Sequence, residues 1–113
     1  MLDAILNALP RKLTSLEVKL HGVSGYTGRG EIAFTAWKSG AKEMEIELRG
    51  VAGRCAEVFI DDVFSINVDL DNGRIDHTFT TRKGDNIPDL TEGARVDVRQ
   101  NGEIILEGVL VPN

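Results

Sequence analysis

The chain has 113 residues, 42% of them apolar and 27% charged, and carries a net charge of −5. That size suits one domain with a core of its own, and the mixture is that of a folded chain rather than a disordered one. The only adjacent basic pairs are Arg11-Lys12 and Arg82-Lys83, so the basic stripe that grips a nucleic-acid backbone is missing.

Leu2, Ile5, Leu6 and Leu9 recur at i, i+3, i+4 and i+7, which predicts a short amphipathic helix over residues 1–10. Pro10 ends it by pushing the preceding residue out of the helical region. So short a helix must lay its stripe on something to be stable.

From there the period becomes two. Leu16, Val18 and Leu20 alternate with Glu17 and Lys19, and the same alternation runs through Met44–Leu48, Phe64–Leu70 and Val96–Val98. Each reads as a strand with one face in water. Ile32–Trp37, Val58–Ile60 and Ile104–Val111 are apolar on both faces and are expected to be covered on both. Eight strands result, near 15–21, 30–37, 42–50, 55–60, 63–70, 74–81, 94–100 and 103–111. Lys38-Ser39-Gly40-Ala41, Asp61-Asp62, Asn72-Gly73 and Asn101-Gly102 supply hairpin turns. The expectation is one all-β domain over 1–113, an antiparallel meander of about eight strands forming a sandwich or a barrel.

Two registers follow from matching apolar faces. A two-residue Asn72-Gly73 loop pairs Asp71 with Arg74 and Leu70 with Ile75, which sets Asp69 opposite Asp76. At Gln100-Asn101-Gly102, a three-residue loop pairs Arg99 with Glu103 and Val98 with Ile104. The run Asn101–Leu110 resembles the last hairpin of CHRD-type β domains over that stretch alone, and no activity or site residue follows from it.

Residues with chemistry are few. His21 and His77 are the only histidines, and Cys55 is the only cysteine, so no internal disulfide forms. No pair has zinc-ligand spacing. Asn67, Asp69 and Asp71 alternate but fail the calcium-loop pattern. No serine sits in a nucleophile elbow. Asp61-Asp62 reads as a turn rather than an acid–base pair. No cofactor or metal is expected, and the reading leans away from an enzyme. The candidate ligand-binding residues are Tyr26 and Arg29, in the glycine-rich stretch Gly22–Gly30; Trp37, on the second face of its strand; and His77, expected on the core face as a partly buried, hydrogen-bonded histidine.

The expected function is a non-enzymatic protein-binding or self-assembly module, dimeric or bound to another protein. The alternative is a small-molecule or metal-ion domain with a pocket near His77, lined also by Tyr26, Arg29, Asp62 and Asp76. The N-terminus lacks the basic and long apolar regions of a signal peptide, and no apolar run reaches membrane-spanning length. The expectation is therefore a soluble cytoplasmic protein without nucleic-acid or membrane partners.

Overall fold

A computed structural model describes residues 11–113 of the chain, so the expected helix over 1–10 lies outside the described residues. The strands are β1 (Lys12–Gly22), β2 (Arg29–Trp37), β3 (Lys42–Arg49), β4 (Cys55–Ile60), β5 (Val63–Asp69), β6 (Ile75–Thr80), β7 (Arg95–Gln100), β8 (Glu103–Val109) and a two-residue β9 (Val111–Pro112). The fold is all-β, as the alternating pattern predicts. Its hydrogen-bonded order is β5-β4-β7-β8-β1-β2-β3-β6, with β9 on β1.

Two layers of four strands result, β6-β3-β2-β1 and β5-β4-β7-β8. They meet at β8–β1, where only His21↔Glu107 and Gly22↔Leu106 are paired. At the other side neither β5 nor β6 has a second neighbour among the described residues. The molecule is a nearly closed antiparallel barrel with one open side. Inward residues of both layers, including Val18, Ile32, Phe34, Met44, Ile46, Val58, Val98 and Leu106, are at most 1% exposed and form one core. Ile87 and Leu90, in the loop between β6 and β7, are buried in the same cluster.

The simple meander does not hold. β3 pairs β6 instead of β4, and β4 pairs β7. The chain changes layer between β3 and β4, through a connection where Gly50 and Gly53 take φ of 69° and 90°. It changes layer again around Asn72-Gly73. That turn closes as expected, with Asp71 N–H donating to Arg74 C=O at 2.8 Å and the reverse bond at 3.1 Å. The strands beyond it then part. Leu70 N–H goes to Arg54 C=O, and Ile75 pairs Leu48. The predicted Leu70–Ile75 pair is therefore absent. Asp69 faces Cys55, and Asp76 faces Glu47.

The β7–β8 turn also differs from expectation. Asn101 and Gly102 have φ of 53° and 78°, and Gln100 pairs Glu103 across a two-residue loop. A register shift after Val98 then skips Ile105, so that Val98 faces Leu106. A bulge can re-aim side chains within a strand. Here it realigns the apolar faces that a regular two-residue hairpin would mix.

Two-sided cover is only partly realised. In β2, Ala33, Thr35, Ala36 and Trp37 are half-buried on or near the second face. Val109 and Val111, expected under cover, are 52% and 47% exposed.

Candidate functional site

The open side places β6 at the edge of its layer. Its backbone groups can be assigned from one fixed point. Thr80 N–H donates to Asp85 Oδ2 at 2.9 Å, and Asp85 N–H donates to Thr80 C=O. Both groups of Thr80 therefore point away from β3. In an antiparallel strand the N–H and C=O of one residue share a side, and successive residues alternate. Ile75, His77 and Phe79 thus bond to β3, while Asp76 and Thr78 direct their backbone groups to the open side. Thr80 has its groups capped by Asp85; Asp76 and Thr78 do not.

A groove of about 800 Å³ runs along this edge, between Asn67, Val68 and Asp69 of β5 and Ile75–His77 and Phe79 of β6. Its rim mixes Glu47, Asp69, Asp71 and Asp76 with Arg49 and Arg74. β6 has no Lys, no Pro and no bulge along its pairing with β3. Those are the devices that usually blunt an edge. β5 is blunted: its pairing with β4 shifts register after Val58, skipping Ser65 before Phe59↔Phe64 and Ile60↔Val63 resume the ladder.

His77 sits on this edge. It pairs with the buried Ile46, so its register is that of the inward face, but its side chain is exposed. Among the described residues no layer covers β6 at that point. Its ring meets Phe79 edge-on at 4.6 Å, and it has no hydrogen bond among the described residues. The expected partly buried, hydrogen-bonded histidine is corrected accordingly. Asp76 lies in the same groove. Among the described residues no three His, Cys, Asp or Glu side chains are grouped to hold a metal ion.

The other candidates are elsewhere. Tyr26 hangs over a small cavity of about 240 Å³ and donates its hydroxyl to Glu103 Oε2 at 2.9 Å. That hydrogen bond, ahead of desolvation and the charge of the same carboxylate, holds the phenol above its ordinary pKa. Arg29 opens β2 beside a cavity of about 500 Å³. Trp37 ends β2 at the opposite end, half-buried under the Arg82 guanidinium, which lies 5.3 Å from its ring centroid. Asp62 is in the β4–β5 turn. Tyr26 and Arg29 share the walls Thr27 and Gly28, but they do not meet His77, Asp62 or Trp37 in one pocket.

One cluster escaped the sequence reading. Asp97, assigned to a wet face by alternation, is fully buried. Its carboxylate accepts from Arg99 Nε at 2.6 Å and Nη2 at 3.2 Å. Arg99 Nη2 also reaches Asp62 Oδ1 at 2.9 Å, Arg95 bonds the same oxygen, and the Arg99 guanidinium lies 3.9 Å from the Phe59 ring centroid. The hydrogen bond to Asp97 holds Arg99 above its ordinary pKa against the opposing effect of desolvation. The usable signal was Arg95-x-Asp97-x-Arg99 on one strand face. With its charges mutually satisfied, this network ties the β4–β5 turn to β7.

No protein-family model matches the chain, and no curated protein matches its sequence. Among the described residues no helix is long and apolar enough to cross a membrane.

Proposed function

We propose that the chain is a non-enzymatic self-assembly module that pairs β6 with β6 of a second copy, extending one layer of the barrel into a sheet shared by two subunits. The observation that carries this reading is the edge of β6, which no other strand among the described residues pairs, with the backbone groups of Asp76 and Thr78 directed to the open side. Such an edge is a template for another strand, and a twofold axis makes the pairing self-complementary.

The register can be derived. Opposed residues in an antiparallel pair must share a face, so a twofold pairing centres on a residue, and the two at the middle of β6 are His77 and Thr78. A centre on Thr78 would require the groups of Thr80, which Asp85 already occupies. A centre on His77 uses only free groups: Asp76 and Thr78 exchange backbone bonds with the partner's Thr78 and Asp76. Ile75 then faces the partner's Phe79, and no two carboxylates of β6 are opposed. A small molecule in the same groove remains the alternative reading, motivated by its volume.

The test is light scattering behind size exclusion over a range of concentrations. The full chain is expected to approach twice its monomer mass as concentration rises. Thr78→Lys, which places a charge on the edge, and Thr78→Pro, which removes a donor not used by β3, are both expected to remain monomeric while folded. A full chain that is monomeric at its highest soluble concentration, or a Thr78→Lys variant that dimerises as well as the parent, overturns the proposal.

A further inference from the structure

We propose a second site, at the end of the β1-β2-β3 layer: a cross-strand row of two arginines and a histidine that binds a phosphate group. The register sets His21 directly opposite Arg29 and Arg29 directly opposite Arg49. All three line the cavity of about 500 Å³, together with Lys19. Directly opposed like charges destabilise a sheet, and this chain places three basic side chains in one row while being acidic overall. On β7, by contrast, Arg95 and Arg99 both contact Asp62 and Asp97. The side chains of Arg29 and His21 have no ion pair or hydrogen bond among the described residues. Both line a concave space.

The floor of that space is backbone. A Cβ on Gly28 would lie 2.8 Å from Gly50 O, and one on Gly30 would collide with Leu48 Cδ2 and approach Glu47 O at 2.7 Å. Glycine at both positions lets the chain at the start of β2 approach its neighbours closely; at Gly30 the room it leaves is on the core face, against Leu48 and Leu20, behind the row. Two carboxylates oppose an anion. Glu31 and Glu47 line the same cavity one row further along, and Glu47 Oε1 is 3.6 Å from Arg49 Nη2. Counting Lys19, Arg29 and Arg49 against these two, the lining has an excess of one positive charge. The guanidinium forks of Arg29 and Arg49 suit the planar, multidentate recognition that phosphate oxygens invite. Glu47 and Arg49 also line the β6 groove, but the row needs no second copy of the chain.

Inorganic pyrophosphate is titrated into the full chain and followed by the amide resonances of Gly28, Arg29, Gly30 and Arg49. Sedimentation with phosphatidylcholine vesicles, with and without a phosphoinositide, is the second arm. Saturable shifts confined to these amides, weakened about tenfold or more in Arg29→Ala, support a soluble phosphate ligand. Sedimentation only with phosphoinositide vesicles, lost in the same variant, supports the proposal with a lipid headgroup as the source. Arg49→Gln repeats the comparison if Arg29→Ala fails to fold, and Glu47→Gln is expected to tighten binding. No response in either arm, or a response equal in parent and variants, overturns the site.

Discussion

Tyr26 and Glu103 make a test at the scale of single residues. They are 77 positions apart and come together because the β1–β2 connection folds over the β7–β8 turn. The phenol donates to a carboxylate, so its neutral form is favoured and its pKa lies above the ordinary value. The sign follows: the contribution of this bond to stability is fully present below the unfolded phenol's pKa and is lost as pH rises through the folded one. Because the chain has one tyrosine, a phenolate absorbance titration reads it alone. The midpoint is expected above 10, the ordinary value, and to fall towards it in Glu103→Ala. An unchanged midpoint in that variant would show that Glu103 is not the cause. Such a pair is invisible in sequence, because neither residue is unusual where it stands. Asp97 is different: the spacing of Arg95, Asp97 and Arg99 was legible, but alternation assigns a face without saying whether water reaches it.

Turns illustrate the element scale. Asn72-Gly73 and Asn101-Gly102 are the same dipeptide, both with two successive positive φ values, and the sequence reading gave them different loop lengths by matching apolar faces. At the first the loop length and the Asp71–Arg74 pair hold, but the apolar Leu70–Ile75 pair that selects them does not form, because the two strands part beyond the turn. The rule failed at the second because a bulge at Ile105 supplied the missing residue of register, and bulges leave little mark in a pattern of apolar and polar letters. The strands themselves were legible almost residue by residue, since a period of two reflects one buried face. Close approach between strands was not. Gly108 is a case: a Cβ there would collide with Lys19 O and lie 2.6 Å from Val18 Cγ2. It allows β8 to press against β1 at a seam with only two residue pairs. Gly108→Ala is expected to force that seam apart and cost about 1–3 kcal/mol, the usual range for overpacking, read as a lower midpoint in urea. A midpoint equal to the parent's would mean the seam has slack that the backbone positions do not suggest.

For the whole molecule, strand order is what periodicity leaves out. Local turn signals connect neighbours, whereas the β3–β6 and β4–β7 pairings join segments far apart in sequence, and no short-range pattern encodes them. The resulting order fixes how stability is distributed. β1, β2 and β3 have strands along both sides and carry the fully buried Val18, Ile32 and Ile46. β5 and β6 are each held along one side only, and the inward-register His77 of β6 is exposed. Opening free energies within a domain follow such differences in pairing and burial. Native-state amide exchange at low concentration is therefore expected to be slowest in the centres of β1 to β3. In β6 the pattern should alternate, with Ile75, His77 and Phe79 protected by β3 and Asp76 and Thr78 exchanging freely. Raising the concentration should slow Asp76 and Thr78 selectively if copies pair along this edge, because theirs are the amides that the pairing covers. Uniform protection along β6 at low concentration would contradict the assignment of its free groups. Alternation that persists unchanged at high concentration would leave the edge open and count against β6 as the assembly surface.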